Sequence, residues 1–233
     1  MRNIPLLLFL AVLPGTAPAA SAQAGSERLT VVELFTSQGC SSCPPADALL
    51  AELSRSDPAA LVLGFHITYW DRLGWKDPYS LPEATARQQA TKSRFGLDYI
   101  YTPQLVVDGR QQAVGSDRAE VRRALAEARA AAGSPVLLKL VADGARVRVQ
   151  AAAGQGKGAL LLVGFDPEHL TPVHAGENGG RTLREVNVVR SLVTAAPWTG
   201  AALDLHAARP AGERLAAVLQ GEDGAVLGVA VLP

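Results

Sequence analysis

The sequence predicts an α/β domain that is followed by an antiparallel β region. Strand-like and helix-like segments alternate in the first half of this 233-residue chain, as is typical of α/β folds. The hydrophobic period changes after Gly133-Ser134-Pro135, where apolar and polar residues begin to alternate in short runs. Hydrophobic residues make up 48% of the chain and charged residues 19%, a balance that supplies enough apolar material for a core.

The first elements are two strands with a helix between them. Residues 29–36 form a β-rich run. Residues 44–56 carry apolar side chains at helical spacing, and the two prolines that open this segment suit a first helical turn, where N–H groups have no intrahelical partner. Residues 61–67 are almost wholly apolar, which predicts a central strand that is covered on both faces.

An insertion at about residues 66–101 separates these elements from the next strand. It begins with an aromatic-rich loop over residues 68–80. Ser80 and Glu83 have the spacing of a capping box, which predicts a helix that runs from there to about Arg94.

A hairpin and a helix complete the first half. Residues 104–107 and 111–114 predict two strands, and Asp108-Gly109 between them is a dipeptide favoured in tight turns. Asp117 and Glu120 have capping-box spacing and predict a helix that ends near residue 133.

Residues 134–233 predict a second, β-rich domain. Short alternating runs are separated by turns, and such regular spacing implies a small antiparallel sheet or sandwich. The short join at residues 133–135 implies that the two parts pack together. The expected strands cover residues 136–140, 147–149, 159–163, 184–193, 203–207, 215–219 and 226–231.

Residues 1–22 have the pattern of a secretory signal peptide. Arg2 supplies the positive start, residues 4–13 are apolar but too short to span a bilayer, and Ala20-Ser21-Ala22 fits the small-x-small cleavage rule. A membrane anchor is the alternative interpretation. No later stretch is long and apolar enough for a second span, so we expect a periplasmic or secreted protein without stable membrane insertion after cleavage. A disulfide persists in such a compartment.

Cys40 and Cys43 are the only two cysteines of the chain, and they stand where the first strand meets the first helix. A helix N-terminus stabilises an anion, which favours the Cys40 thiolate. Cys43 lies one turn further on, close enough to resolve a mixed disulfide. Cys40 is therefore the candidate nucleophile and Cys43 the buried resolving thiol. A zinc site would need a second pair of ligands, and an inert structural disulfide is the other alternative.

Thr102-Pro103 stands directly before the predicted hairpin and helix. Together with Cys40-Ser41-Ser42-Cys43, this order resembles the thioredoxin-like superfamily. The resemblance implies a cis peptide bond before Pro103, a position facing the cysteines, and a substrate edge shaped by Thr102 and Pro103. An ordinary trans proline is the alternative. The resemblance makes residues 23–133 a thioredoxin-like domain and residues 134–233 a C-terminal β domain packed against it.

Four longer motifs narrow the resemblance. They are VVELFTSQGCSSCPPAD, FHITYWDRLGWKDPYS, YTPQLVVDGR and GENGGRTLREVNVVR, in this order. Over about residues 31–190 the chain resembles the DUF1223 family of exported bacterial proteins, which implies a thioredoxin-like fold with an added β region and no particular activity. Because the dipeptide between the cysteines tunes thiolate stability, Ser41-Ser42 leaves the reductase and oxidase directions both open.

Two polar residues on the predicted strands are candidates for proton transfer or metal binding. Glu33 lies among apolar residues on the strand that leads to Cys40, where burial would raise its pKa and suit it to take the proton of Cys43. A carboxylate on a solvated strand face is the alternative. His66 could transfer protons, or bind copper together with Cys40 and Cys43, since sulfur and imidazole suit that metal. A hydrogen-bonded core histidine is the alternative.

Aromatic residues and a glycine-rich loop are candidate substrate contacts. Tyr69, Trp70 and Trp75 would cap the cleft and bind a peptide or a small thiol, or would simply pack over the sheet edge. Glycines in the loop at residues 176–180 allow close backbone approach, so this loop could reach the cysteines and Arg181 could hold an anionic group. A solvated hairpin with Glu–Arg pairing is the alternative.

Thiol–disulfide exchange with a thiol- or disulfide-bearing protein or a small thiol is the activity that the sequence favours. A copper carrier and a non-catalytic binding module with a structural disulfide are the alternatives. The chain has no phosphate-binding glycine motif, so we expect no organic cofactor. Its formal net charge of zero provides no long-range field that would attract nucleic acid.

Overall fold

The computed structural model describes residues 28–133 and 135–232, so the predicted signal peptide at residues 1–22 lies outside the described residues. Within the described part, no helix is both long and apolar enough to cross a membrane. In chain order the elements are β1 (Thr30–Thr36), α1 (Pro44–Ser56), β2 (Ala60–His66), a short 3₁₀ helix (Asp71–Leu73), α2 (Pro82–Phe95), β3 (Gln104–Val107), β4 (Gln111–Val114), α3 (Arg118–Ala130), β5 (Leu138–Asp143), β6 (Arg146–Ala151), β7 (Gly158–Pro172), β8 (Thr182–Trp198), β9 (Leu203–Ala208), β10 (Arg214–Gly221) and β11 (Val226–Leu232).

The first seven strands and α-helices build a mixed α/β layer around β1. β1 pairs parallel with β2 and antiparallel with β3, and β3 forms a hairpin with β4. Side chains alternate between the faces of a strand, so Val32 and Leu34 pack with α1 and α3 on one face. Val31 and Phe35 pack on the opposite face, which α2 covers. All seven residues of β1 are buried, because both of its faces are covered.

The helix starts follow the predicted capping in one case and depart from it in another. The Asp117 side chain caps α3 by accepting the N–H groups of Ala119 and Glu120, both at 3.0 Å. The expected capping box at Ser80 does not form: α2 begins at Pro82 without a side-chain cap. The Ser80 hydroxyl instead donates to Asp71 Oδ2 at 2.7 Å, so it ties the 3₁₀ segment to the start of α2.

Four of the C-terminal strands extend the first sheet. The order across this sheet is β11-β10-β7-β8-β2-β1-β3-β4, and β5, β6 and β9 form a separate three-stranded sheet. Leu140, Val147 and Val149 of the small sheet pack against residues of β7 and β10, such as Leu160 and Leu215. We expected the C-terminal region to form its own sheet packed against the first half. Only β5, β6 and β9 form a separate sheet, and it packs against the C-terminal strands of the large sheet. Hydrophobic alternation identifies strands, but it does not identify their partners.

A narrow join between β2 and β8 makes the large sheet continuous. It consists of one residue pair, Gly64 with Val188. Beside it Asn187 has a positive φ of 47°, and its side-chain amide donates to the Val62 carbonyl at 2.9 Å. The join brings the start of β8 and the hairpin tip before it to the end of β2.

The β3–β4 turn packs against the turn that contains Gly224, and Gly109 provides a test of this contact. Gly109 and Gly144 both have positive φ, 66° and 58°. A Cβ on Gly109 would overlap the Gly224 carbonyl, whereas one on Gly144 would meet open space. We expect Gly144→Ala to lower the free energy of unfolding by about 1 kcal/mol, from backbone strain alone. Gly109→Ala should lower it by about 3 kcal/mol, because the Gly224 turn must also move.

Urea denaturation of the two variants measures this difference. Gly144→Ala is the matched control, since it carries the same strain in an open turn. Equal losses of stability would show that the Gly109 turn does not pack against the Gly224 turn.

Candidate functional site

The two cysteines lie where the chain passes from β1 into α1. They are joined in a disulfide, and α1 begins directly after Cys43, whose carbonyl accepts the N–H groups of Ala46 and Asp47. The pair therefore stands at a helix N-terminus, as the sequence predicted. Both cysteines are 0% exposed. Burial of Cys43 was expected, but that of Cys40 was not, because an attacking cysteine is ordinarily partly exposed.

Thr102 contacts the Cys40 sulfur, and Trp70 packs beside it against Thr102 and Gly39. The Thr102-Pro103 peptide bond is cis, as the resemblance implied. The Thr102 hydroxyl donates to Cys40 Sγ at 3.4 Å and accepts the Trp70 indole N–H at 2.8 Å. Trp70 also packs over Gly39, where an added Cβ would stand 3.2 Å from the Trp70 Cβ. The structure thus brings Thr102 and Trp70, two of the predicted site residues, to the Cys40 segment, and Pro103 follows Thr102 in the chain.

The glycine-rich loop reaches the cysteine segment from the β7–β8 hairpin. The Asn178 side-chain amide donates to the carbonyls of Gln38 and Cys40, both at 2.9 Å. Glu177 Oε2 accepts the Ser41 N–H at 2.9 Å. Arg181 donates to Asn178 Oδ1 at 2.9 Å, so in this structure it holds a neutral amide, and its binding of an anionic group stays a prediction.

The other two predicted aromatic contacts, Trp75 and Tyr69, bind different residues. Trp75 donates its indole N–H to Gln38 Oε1 at 3.0 Å and thereby lies against the cysteine segment. Tyr69 donates its hydroxyl to Gln88 on α2 at 3.1 Å. The structure brings Trp75 to the site. The Tyr69 hydroxyl binds Gln88 and also interacts with the side chain of Thr102, the residue that contacts Cys40.

Glu33 lies on the face of β1 that α2 covers. Its Oε1 accepts from Arg87 Nε on α2 at 2.7 Å, and the α1 helix that follows the cysteines covers the opposite face. The structure therefore does not bring Glu33 to Cys43. The alternation of β1 side chains places it on the other side of the sheet.

A buried cluster of four titratable residues lies beneath the cysteine segment, and sequence reasoning identified only His66 among them. His66 Nδ1 is 2.7 Å from Asp77 Oδ2, and its Nε2 is 3.9 Å from Glu185 Oε1. Asp47, on the first turn of α1, accepts from the Thr36 hydroxyl at 2.8 Å. Acidic residues are common in an exposed first helical turn, so no sequence pattern predicted the burial of Asp47.

Gln38 connects this cluster to the cysteines. Its backbone N–H donates to Asp77 Oδ2 at 2.8 Å, and its side-chain amide donates to Glu185 Oε2 at 2.7 Å. Among the residues that the structure describes, the remaining Glu185 oxygen, Oε1, has no hydrogen-bond partner, and it faces His66. The cluster thus contacts both the chain before Cys40 and the helix after Cys43.

Burial and mutual charge shift the pKa values in the cluster. Burial raises the pKa of Asp47 to about 7, and the charge of Glu185 acts in the same direction. Burial alone would lower the pKa of His66, but the charges of Asp77 and Glu185 outweigh it and raise that pKa to about 9. Burial also raises the pKa of Glu185. The Asp77 pKa is lowered despite burial, because His66 and backbone N–H groups stabilise the carboxylate. His66 is therefore a cation at neutral pH.

The copper hypothesis stays a prediction. Both ring nitrogens of His66 face carboxylates, at the distances given above. Within residues 28–133 and 135–232, no three or more His, Cys, Asp and Glu side chains are grouped so that they could hold a metal ion.

The raised pKa of Asp47 predicts a pH-dependent stability. Between about pH 4 and pH 7 the folded protein holds a proton on Asp47 that the unfolded chain releases. Its contribution to stability therefore falls as the pH rises through this window. In Asp47→Asn the free energy of unfolding should fall less steeply there, by up to about 1.4 kcal/mol per pH unit. Denaturant titrations at several pH values measure the slope.

His66 serves as an internal control for this experiment. Its raised pKa contributes stability that is complete below about pH 6.5 and is lost as the pH rises through about 9, and Asp47→Asn retains this loss. Parallel curves for the two proteins from pH 4 to 7 would contradict the buried-acid interpretation.

Comparisons with known proteins give the family and the fold. Protein AGR_C_4864 from Agrobacterium tumefaciens is 30% identical to this chain, with a TM-score of 0.76, and the alignment covers 88% of this chain and 95% of that one. HBP35 of Porphyromonas gingivalis is 13% identical, with a TM-score of 0.63 over 88% of this chain and 75% of its own, a likeness of fold alone. No curated protein matches. The model of DUF1223, a family described as proteins of unknown function, matches residues 31–226, and the chain therefore belongs to the DUF1223 family.

Proposed function

We propose that this protein is an exported thioredoxin-like thiol–disulfide oxidoreductase that acts through Cys40 and Cys43. The observation that carries the proposal is the disulfide at the N-terminus of α1, with the Thr102 hydroxyl on the Cys40 sulfur at 3.4 Å. The order of elements from β1 to α3, with β1 paired to both β2 and β3, supports the thioredoxin-like part. The proposed domains remain residues 23–133 and 134–233, and export rests on the pattern of residues 1–22.

In the reducing direction, the reaction begins with the Cys40 thiolate. It attacks a disulfide of the partner, forms a mixed disulfide and releases one partner thiolate. Cys43 then attacks the Cys40 sulfur, which releases the second partner thiol and leaves the Cys40–Cys43 disulfide. The oxidising direction runs these steps in reverse. The N-terminus of α1 favours the thiolate of Cys40 through its free N–H groups and dipole.

The residues around Cys40 divide into two groups. Thr102, Pro103 and Trp70 form the side from which a disulfide-bearing protein or a small thiol approaches, and the Thr102 hydroxyl orients the Cys40 sulfur. Trp75 and Arg181 act indirectly, because they hold Gln38 and Asn178.

Asp47 takes the proton-transfer role that the sequence suggested for Glu33. It lies four residues after Cys43, and its N–H donates to the Cys43 carbonyl at 3.1 Å. Residues four apart lie on the same helix face, so the two buried side chains are neighbours. A pKa of about 7 suits Asp47 to accept the proton of Cys43 and return it at neutral pH. Glu33 is held by Arg87 on the other face of the sheet.

Substitution of each cysteine tests the proposed activity. In a dithiothreitol-driven assay of insulin disulfide reduction, Cys40→Ser should abolish the activity, because the attacking thiolate is gone. Cys43→Ser should also stop turnover but accumulate a mixed disulfide with the partner, which non-reducing electrophoresis detects. Cys40→Ser with unchanged activity would exclude the proposal.

Asp47 and Glu33 can be compared as a matched pair of buried acids. We expect Asp47→Asn to slow the resolution of the mixed disulfide on the order of 100-fold, the usual scale of proton-transfer catalysis. Glu33→Gln should leave that rate nearly unchanged and lower stability instead, because it leaves Arg87 without its charged partner.

Stopped-flow measurement of the second step, with a preformed mixed disulfide, gives the rate of resolution. Equal slowing in both variants would remove the specific role of Asp47, and slowing in Glu33→Gln alone would restore the prediction made from the sequence.

A further inference from the structure

Glu177 places a carboxylate on the dipeptide between the two cysteines. Its Oε2 accepts the Ser41 N–H at 2.9 Å, although 136 residues separate the two in sequence. Hydrogen bonds from the Ser41 hydroxyl and N–H lower the pKa of Glu177. Glu177 is therefore charged at neutral pH, and it binds at the helix end where a Cys40 thiolate would form.

Buried contacts of the same loop hold Glu177 in this place. Asn178 is 0% exposed and binds the carbonyls on either side of Gly39, those of Gln38 and Cys40. Gly176 has a positive φ of 72° and packs so closely on Trp75 that an added Cβ would stand 3.1 Å from the Trp75 Cβ. Because neighbours on both sides are fixed, the contact of Glu177 with Ser41 belongs to the fold.

We propose that Glu177 tunes the redox equilibrium of the cysteine pair: its carboxylate stabilises the disulfide relative to the reduced form. Reduction by a dithiol breaks the S–S bond, adds two electrons and two protons, and oxidises the dithiol to a disulfide. The Cys40 thiol then loses its proton at the N-terminus of α1. The resulting thiolate and the Glu177 carboxylate repel each other and compete for the same N–H groups and the same end of the helix dipole.

We propose further that the same contact limits how a partner reaches the Cys40 sulfur. Cys40 has no exposed surface, with Thr102 on one side and the loop of residues 176–181 bonded to Cys40 and to Ser41. The hydroxyls of Thr102 and Ser42 lie 3.4 and 3.3 Å from the Cys40 sulfur, whereas the loop holds the backbone of Cys40 and Ser41. Release of the loop would free this backbone to move and so open the Cys40 sulfur to a partner. Repulsion from the thiolate weakens the Glu177–Ser41 bond, so reduction itself releases the loop from Ser41.

Glu177→Gln removes the negative charge but keeps the hydrogen bond, because the amide oxygen still accepts the Ser41 N–H. Glu168→Gln is the matched control. It lies on β7 of the same hairpin and removes the same charge, but its carboxylate accepts from Arg184 at 2.6 Å. Both side chains are exposed, so neither substitution disturbs the core.

The experiment equilibrates each protein in dithiothreitol redox buffers and counts reduced cysteines by alkylation and mass spectrometry. At low ionic strength, Glu177→Gln should shift the equilibrium constant toward the reduced form about two- to fivefold. The shift should shrink in about 1 M salt, which screens charges beyond about 3 Å. Glu168→Gln should match the wild type. Identical constants for Glu177→Gln and the wild type would overturn the proposal.

Hydrogen exchange of the Ser41 amide tests the release of the loop. We expect faster exchange in the reduced wild type than in the oxidised wild type, and a smaller difference in Glu177→Gln. Equal exchange in both redox states would overturn the access part of the proposal.

The inference about Glu177 rests on the proposed function only in requiring that the disulfide be reducible. The experiments can therefore contradict the inference and the proposed function independently. A normal Glu177→Gln shift with no insulin reduction removes the function alone. Wild-type insulin reduction that depends on Cys40, without a Glu177→Gln shift, removes the inference alone.

Discussion

The join between β2 and β8 is the constraint on which the site depends. One residue pair, Gly64 with Val188, makes the large sheet continuous. An added Cβ on Gly64 would stand 3.5 Å from the Val186 carbonyl, at van der Waals contact, so the backbones of β2 and β8 approach closely at the join. The join places Glu185 beside His66 and the hairpin tip beside the cysteines. The C-terminal strands therefore complete the site, and their contribution extends beyond packing against the first half.

Gln38 links the C-terminal strands and the aromatic-rich loop to the segment that leads to the disulfide. Its four backbone and side-chain hydrogen-bonding groups are all used, by Asp77, Glu185, Trp75 and Asn178. These partners come from the aromatic-rich loop, from the tip of the β7–β8 hairpin and from β8. A buried polar group without a partner costs about 1–3 kcal/mol, so displacement of any one segment is opposed by the others. The segment before Cys40 is consequently held as one unit with the buried acids.

Features that depend on residues close together in the chain could be predicted from the sequence. Contacts between segments far apart in the chain could not. Strand and helix periods, the Asp117 cap and the position of the cysteines at a helix start are local, and they were predicted. The face of Glu33 was not, because β1 is apolar on both faces and the pattern does not say which helix covers which side. The burial of Asp47 and the contact between Asn178 and Cys40 depend on a hairpin that lies about 140 residues further along the chain, and no local pattern encodes them.

The charges around the disulfide favour one redox direction. The N-terminus of α1 stabilises a Cys40 thiolate, but the acids around it oppose this effect: Glu177 on Ser41, Asp77 and Glu185 on Gln38, with His66 as the one cation of the buried cluster. A strong oxidant of this type depends on a stabilised reduced form. Here the neutral disulfide avoids a repulsion that the thiolate must meet. For the proposed thiol–disulfide exchange, these charges favour a stable disulfide and the reductase direction, even though the Cys-Ser-Ser-Cys sequence by itself is compatible with either.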